Sequence, residues 1–173
     1  MTKKGDHIIL IGMSGAGKTT IGEALSTRLN LPFIDTDEEI VNKTGASVLD
    51  IFRLEGEAKF RSYESGVIRQ LVDFPKSVIA VGGGLPCYHN QMQLLLEMGK
   101  VFYLNAPLDV VMTRLNQNIN SRPLYINLDS DKIEQKTVDL KMEREKVYLQ
   151  ADFEIDTNQH IDKLVKEIIE KLG

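Results

Sequence analysis

The sequence predicts an α/β fold in which helices cover both faces of a parallel sheet, a three-layer α/β/α sandwich. Short apolar runs alternate with longer segments of helical periodicity, Gly, Pro or Asp bounds the runs, and the 173 residues suffice for one domain. Apolar runs of this length are typical of strands buried on both faces. They lie at residues 8–11, 31–35, 78–81, 101–104 and 151–155.

The segments between these runs have apolar residues at helical spacing, which predicts helices over residues 19–29, 58–72, 92–98 and 108–115. A last helix is predicted by a stripe at intervals of three and four residues, and we expect this stripe to pack on the core. Its members are Ile161, Leu164, Val165, Ile168 and Leu172. Alternating strands and helices favour right-handed βαβ units, whose ligands bind beyond the carboxyl ends of the strands.

Composition and charge narrow the possible partners and location. The formal net charge is −4, so nucleic acid is not expected as a partner. Residues 1–7 lead into an apolar stretch, 8–11, that is too short for a signal peptide or a membrane span. The single cysteine, Cys87, excludes an intramolecular disulfide, and we therefore expect a cytoplasmic protein.

A phosphate-binding loop follows the first run directly. Residues 12–19 read GMSGAGKT and match G-x-x-x-x-G-K-[ST] at every fixed position. Glycines let the backbone turn its N–H groups toward phosphate oxygens, Lys18 supplies a point charge, and the Thr19 hydroxyl ligates Mg²⁺. A purely structural glycine turn is the alternative. The predicted ATP contacts in the loop are Gly12, Met13, Ser14, Gly15, Ala16, Gly17, Lys18, Thr19 and Thr20.

Two aspartates follow the second run. A P-loop enzyme needs a carboxylate near Mg²⁺ at a strand end, and the run at 78–81 ends in glycine, so Asp35 is the best-placed candidate. Asp37 is either a residue of the site or the N-cap of the helix that would follow, since Asp is a good N-cap.

Three glycines after the third run and one arginine in a later polar stretch are further candidate residues near the strand ends. Gly82, Gly83 and Gly84 follow the third run and either admit a substrate against the backbone or form a flexible turn. Arg122 lies in a polar stretch, residues 116–129, that lacks helical periodicity. We expect this stretch to be a mobile loop that closes over ATP and shields developing charge.

Three further arginines lie in helical segments. Taken alone, Arg61, Arg114 and Arg144 are most simply solvated surface charges, as in the mixed run at 141–146.

The order of these motifs resembles that of the shikimate kinase family over nearly the whole chain. The family pattern is matched at residues 12–19, at Asp35-Thr36-Asp37, at 56–61, at 82–84, at 122–124 and at Arg144 with Tyr148. Two departures affect the lid and the adenine contacts: no proline stands between Arg144 and Tyr148, and Tyr125-Ile126-Asn127 follows the Arg-Pro-Leu of the lid.

The resemblance implies a fold and an activity. The fold is that of P-loop nucleoside monophosphate kinases, with a five-stranded parallel sheet in the order 2-3-1-4-5 in a single domain, 1–173, with a lid at about 116–129. The activity is transfer of the γ-phosphoryl group of ATP to the 3-hydroxyl of shikimate, with Mg²⁺, in the pathway to aromatic amino acids. A monomer is expected.

The resemblance also implies residue roles. Lys18, Asp37 and Arg122 would be catalytic, and Thr19 and Asp35 would hold Mg²⁺. The predicted shikimate contacts are Asp37, Arg61, Gly82, Gly83, Gly84 and Arg144, and the predicted ATP contacts outside the loop are Arg114, at the adenine, and Arg122. Rival functions are another small-molecule kinase, such as a gluconate or nucleoside monophosphate kinase, and a non-enzymatic nucleotide-binding regulator.

Overall fold

One parallel sheet organises the chain. The computed structural model describes residues 5–173, so residues 1–4 of the N-terminal segment considered above lie outside the described residues. The strand order is β2-β3-β1-β4-β5, which confirms the expected order. Each observed strand lies within one or two residues of its prediction. The strands are β1 (His7–Ile11), β2 (Phe33–Asp35), β3 (Val78–Ala80), β4 (Gly99–Asn105) and β5 (Phe153–Asp156).

Helices connect the strands as crossover segments. Three short 3₁₀ turns, Leu85–Cys87, Ile119–Ser121 and Pro123–Tyr125, add to them. No helix within residues 5–173 combines the length and apolar character needed to cross a membrane. The helices are α1 (Lys18–Leu29), α2 (Thr36–Thr44), α3 (Val48–Leu54), α4 (Glu57–Leu71), α5 (Gln91–Met98), α6 (Leu108–Gln117), α7 (Ser130–Tyr148) and α8 (Ile161–Leu172).

The central strand of the sheet, β1, is buried on both faces. Ile8, Ile9, Leu10 and Ile11 of β1 have no exposed surface, although successive side chains of a strand point to opposite faces. Helices therefore cover both faces, as the continuous apolar run predicted. In α8, the predicted stripe packs as expected, and Ile168 is completely buried.

Four segments were not predicted as they occur. Helix α2 was considered only as a helix that Asp37 would cap, without bounds, and α3 and most of α7 were not predicted as helices. The polar stretch at 116–129 is partly ordered into the end of α6 and the two 3₁₀ turns Ile119–Ser121 and Pro123–Tyr125, so it is more regular than a structureless loop. Short helices and 3₁₀ turns give too few residues for a periodic apolar pattern to appear.

Candidate active site

The phosphate loop joins β1 to α1 at the carboxyl edge of the sheet. Gly15 and Gly17 adopt left-handed backbone angles, with φ of 85° and 94°, which any residue with a Cβ would adopt only under strain. Helix α1 begins at Lys18, directly after the second of these glycines. The loop therefore ends at the positive end of a helix dipole, where anions bind.

The Lys18 ammonium is folded back onto the loop. Its Nζ donates to the carbonyl oxygens of Gly12 at 2.8 Å and Met13 at 2.9 Å. Burial lowers the pKa of Lys18 to about 8, and the nearby carboxylates of Asp37 and Asp35 act in the opposite direction. The structure thus places this cation against carbonyl oxygens of the loop itself, and its predicted contact with phosphate stays a prediction.

Thr19 and Asp35 lie together beside the loop. The Thr19 hydroxyl donates to Asp35 Oδ2 at 3.0 Å, while Asp35 Oδ1 accepts from the backbone N–H of Asp37 at 2.9 Å. A hydroxyl and a carboxylate are the hard oxygen ligands that Mg²⁺ prefers, in a site that phosphates and water complete. Asp35 also caps helix α2, so the N-cap interpretation of Asp37 is wrong: the residue two positions earlier fills that role.

Asp37 instead turns its carboxylate inward. Its Oδ1 is buried and has no hydrogen-bond partner among the described residues. Burial, and after it the charge of Asp35, raises the pKa of Asp37, while Lys18 opposes the shift. An unpaired buried carboxylate oxygen beside the phosphate loop is placed to accept a hydrogen bond or a proton from a ligand.

Arg61 is buried, so its interpretation as a solvated helix charge is wrong. Its guanidinium donates through Nη1 to Glu64 Oε2 at 2.7 Å and through Nη2 to Glu57 Oε1 at 3.0 Å. The rings of Phe60 and Tyr88 lie 5.6 and 5.5 Å from its Cζ. Two carboxylates and two rings hold the guanidinium in one orientation, and its buried Nε has no hydrogen-bond partner within residues 5–173.

The triple glycine packs against these charged groups. A methyl group added at Gly82 would lie 2.6 Å from Glu64 Oε1 and 2.9 Å from Asp37 Oδ1, and one added at Gly84 would lie 2.5 Å from Arg61 Nη2. All three distances are shorter than real Cβ contacts. Gly82 and Gly84 therefore leave room for these side chains at the floor of the site, while the predicted contact of the glycines with a substrate stays a prediction.

Arg144 reaches the same floor from helix α7. It is 8% exposed, so it too is not a solvated charge, and its Nη1 lies 3.2 Å from the position of a Cβ on Gly83. Four residues later, the Tyr148 hydroxyl donates to the Gly83 carbonyl at 2.6 Å. Burial raises the pKa of Tyr148, which keeps the hydroxyl a neutral donor. No carboxylate of the described chain lies within ion-pairing distance of Arg144.

Two adjoining cavities open at this edge of the sheet. The larger holds about 730 Å³ and is lined by the phosphate loop, Thr19, Asp35 and Arg114. The smaller, which we call the acceptor pocket, holds about 70 Å³. The acceptor pocket is lined by Ser14, Asp37, Val48, Phe52, Phe60, Arg61, Glu64, Gly82, Gly83, Gly84, Arg122, Pro123, Leu124, Tyr125 and Arg144.

The two cavities share a boundary that carries two of the predicted catalytic groups. Asp37 and Arg122 line both cavities. Arg122 is half-buried, and its Nε has no hydrogen-bond partner among the described residues. Arg114 is exposed and donates from Nη1 to the Gly15 carbonyl at 2.9 Å, so it lies on the loop side of the larger cavity.

Sequence reasoning missed part of the site. It did not single out Glu64, although Glu64 lies three residues after Arg61 and seven after Glu57 and so shares their helix face. It also gave no role to the apolar wall of the acceptor pocket or to the residues after β5 that line the larger cavity. These residues are Val48, Phe52, Phe60, Leu124, Thr157, Gln159, His160, Ile161 and Leu164.

Comparison with known proteins gives one consistent family. The family model described as shikimate kinase matches residues 14–173. A shikimate kinase of Azobacteroides pseudotrichonymphae is 36% identical over 168 residues, covering 94% of this chain and 99% of that protein. A shikimate kinase of Chromobacterium violaceum is 38% identical over 174 residues, covering 99% and 92%.

Solved structures agree with the sequence relatives. The shikimate kinase from Acinetobacter baumannii, solved in complex with shikimate, superposes with a TM-score of 0.90 at 35% identity, covering 97% of this chain and 93% of that one. A gluconokinase from Sinorhizobium meliloti superposes with a TM-score of 0.56 at 18% identity, covering 98% and 93% of the two chains. That second likeness shows the fold alone.

Proposed function

Because the chain belongs to the shikimate kinase family, an ATP-dependent kinase family, we propose that its larger cavity binds Mg-ATP and its acceptor pocket binds shikimate. The γ-phosphoryl group then passes to the 3-hydroxyl of shikimate and gives shikimate 3-phosphate and ADP. One observation carries this assignment to the residues: the two cavities meet at Asp37 and Arg122. A γ-phosphoryl group and an acceptor hydroxyl can come together only at such a boundary.

The acceptor pocket has the polarity that a polyhydroxy acid requires. Arg61 and Arg144 are buried cations in its wall, and a carboxylate bound there receives charge-assisted hydrogen bonds. Asp37 Oδ1 lacks a donor, and a substrate hydroxyl supplies one. The pocket thus complements both ends of shikimate. Gluconate carries the same charge but is an open chain rather than a ring, and nucleoside monophosphates carry a phosphate in place of the carboxylate.

The small size of the acceptor pocket supports a lid at residues 116–129. About 70 Å³ is well below the roughly 300 Å³ at the lower end of ligand pockets. Pro123, Leu124 and Tyr125 form part of the pocket wall and lie in the polar stretch at 116–129. We expect this stretch to open for the acceptor and then close, bringing Arg122 onto the transferred phosphate.

The ATP side of the site is built around the phosphate loop. Its backbone N–H groups, the α1 dipole and Lys18 bind the phosphates. Thr19 and Asp35 would hold Mg²⁺, which would neutralise charge on the β- and γ-phosphates. Arg114 and residues of the segment at 157–161 also line this cavity, and we assign the adenine to them.

The chemistry requires little covalent participation by the protein. The oxygen of the 3-hydroxyl attacks the γ-phosphorus, the bond from that phosphorus to the β–γ bridging oxygen breaks, and ADP leaves with the electron pair. Asp37 accepts the hydroxyl proton, for which its raised pKa suits it. Lys18 and Arg122 stabilise the charge on the transferred group, since the transition state is loose. We also propose that the enzyme acts as a single-domain monomer, because each residue of the proposed mechanism comes from this chain. The proposed cytoplasmic location rests on the single cysteine, Cys87.

The test is ADP production from Mg-ATP alone, with shikimate, and with gluconate or nucleoside monophosphates in parallel. Strong stimulation by shikimate only is the expected result. No stimulation by shikimate in a protein that still binds ATP would reject the acceptor assignment. In the same assay, Arg122→Ala should lower turnover about 10³- to 10⁵-fold, and near-normal turnover would exclude the role of Arg122 at the phosphate.

A further inference from the structure

Tyr148, at the end of α7, is a fully buried side chain for which the mechanism above has no task. It lines neither of the two cavities. Its hydroxyl donates to the Gly83 carbonyl at 2.6 Å and lies 4.0 Å from Met13 Sδ in the phosphate loop. Because 2.6 Å is at the short end of the range for a hydroxyl donor, the hydroxyl and the carbonyl are held firmly together.

Gly83 lies where the two cavities meet, since it lines both of them. A Cβ placed on it would lie 3.2 Å from the Gly12 carbonyl oxygen and 3.3 Å from the Ser14 backbone nitrogen, so the turn after β3 packs directly on the phosphate loop. The same Cβ would lie 3.2 Å from Arg144 Nη1 in the acceptor pocket. A displacement of Gly83 would therefore change how the ATP side and the acceptor side of the site lie relative to each other.

The Gly83 carbonyl depends on Tyr148, whereas its neighbours in the turn are bonded by the backbone. The Gly82 carbonyl accepts from the Leu85 N–H at 3.0 Å, and the Gly84 carbonyl accepts from the N–H of residue 87 at 3.1 Å. Within residues 5–173, the Gly83 carbonyl accepts only from Tyr148. Because a peptide group turns as one planar unit, this single bond sets the orientation of the peptide between Gly83 and Gly84.

We propose that Tyr148 is a positioning residue for phosphoryl transfer: its hydroxyl fixes the turn at Gly83 against the phosphate loop and so sets the distance between the γ-phosphoryl group and the acceptor hydroxyl. This inference rests on the proposed function, since it takes the two cavities to hold the phosphoryl donor and the acceptor. Tyr148 touches neither substrate and acts through Gly83. Small displacements matter at this place, because a misplacement of about 1 Å can lower a rate about 10²-fold.

Tyr148 has two alternative roles, and Tyr148→Phe separates them from the proposed one because it keeps the ring and removes only the hydroxyl. One is core packing, since the ring lies 5.0 Å from that of Tyr103. The other is support of Arg144, whose charge lowers the pKa of the Tyr148 hydroxyl against the larger effect of burial. A packing role predicts lower stability at an unchanged rate, and a role through Arg144 predicts a higher KM for shikimate at an unchanged rate. The proposed role predicts slower transfer with both KM values nearly unchanged.

The experiment measures the rate of phosphoryl transfer from Mg-ATP to shikimate in a single turnover, so that product release does not mask the step, together with the KM of each substrate. The matched control is Tyr103→Phe. Tyr103 is buried and lines neither cavity, and burial, followed by the charges of Glu145 and Glu154, raises the pKa of its hydroxyl. Tyr148→Phe should slow transfer about tenfold or more and keep both KM values within about twofold. Tyr103→Phe should change the rate and both KM values by less than about twofold.

A second variant tests the hydrogen bond itself. Replacing Tyr148 with 4-aminophenylalanine puts an N–H donor in place of the hydroxyl and should restore most of the transfer rate. An unchanged transfer rate in Tyr148→Phe overturns the proposal, and so does a higher KM for shikimate without slower transfer, or an amino variant as slow as Tyr148→Phe.

Folding of Tyr148→Phe is checked by thermal unfolding. If it does not fold, Gly83→Ala replaces it, because the Cβ pushes the same turn away from the phosphate loop. Gly83→Ala should then slow transfer about tenfold or more, and transfer at the wild-type rate would overturn the proposal. If wild type does not phosphorylate shikimate, the proposed function itself fails, and this inference with it.

Discussion

Replacing Gly84 with alanine tests how closely the acceptor pocket is fitted around Arg61. The added Cβ would lie 2.5 Å from Arg61 Nη2, 2.7 Å from Nη1 and 2.8 Å from Cζ, whereas ordinary contacts begin at 3.4 Å. The guanidinium must therefore move by most of an ångström. It is held by Glu57 and Glu64 at 3.0 and 2.7 Å, so the movement breaks at least one of these bonds.

The expected loss follows from the strength of such bonds. A hydrogen bond to a charged group contributes about 1.5–3 kcal/mol, and each 1.4 kcal/mol is tenfold in an equilibrium constant. Gly84→Ala should therefore raise KM for shikimate about 10- to 100-fold, because Arg61 no longer meets the substrate carboxylate in register. KM for ATP should stay within about twofold, since Gly84 does not line the larger cavity.

The assay is coupled ADP release with either substrate varied, and the matched control is Gly66→Ala. Gly66 lies in the same helix as Arg61, and a Cβ there would meet nothing within 4 Å. Alanine should stabilise the helix at Gly66 by about 0.5–1 kcal/mol and leave both KM values unchanged. A Gly84→Ala enzyme whose KM for shikimate matches that of wild type would refute the reasoning that the position of Arg61 sets acceptor affinity.

Three further predictions concern metal binding, pH and packing. Asp35→Asn should keep the α2 cap, because Asn caps as well as Asp. It should raise the Mg²⁺ concentration for half-maximal turnover about tenfold or more. An unchanged Mg²⁺ requirement in a titration would exclude Asp35 as a ligand. Burial raises the pKa of Glu64 from 4.5 to about 7, so the folded state holds this proton more tightly than the unfolded state. The free energy of unfolding should then fall as pH rises from about 4.5 to about 7, by at most about 3 kcal/mol, and urea unfolding of Glu64→Gln should show a smaller fall. Gly22→Ala would bring a Cβ within 2.3 Å of the Phe33 ring and should lower stability by about 1–3 kcal/mol in the same unfolding experiment.

Most of the sheet could be predicted because its signal is local. Each strand is a continuous apolar run, and a run such as Ile8–Ile11 needs no knowledge of its neighbours to be recognised. Helix α7 has no such signal. The side chains that it buries are Ile133, Thr137, Arg144 and Tyr148, and two of these are polar or charged. Its inward face is helical in spacing but not apolar in composition, so a search for apolar periodicity passes over it.

The phosphate loop has a local sequence signal, whereas the arginines of the acceptor pocket do not. Residues 12–19 could be assigned from the sequence because a turn, a helix start and a lysine are fixed by one short segment. Arg61 and Arg144 could not be assigned without the family resemblance. Their burial depends on where α4 and α7 meet the turn at Gly83 and Gly84, which are far from them in the chain.

The two arginines are not equivalent, although they face the same floor. Arg61 is nearly neutralised by Glu57 and Glu64, whereas no carboxylate of the described chain pairs with Arg144. We therefore expect a substrate carboxylate to gain most of its net attraction from Arg144, with Arg61 contributing mainly a fixed donor geometry. The same division accounts for a carboxylate in a pocket proposed for an anion, because Arg61 lies 2.7 Å from Glu64 and balances its charge.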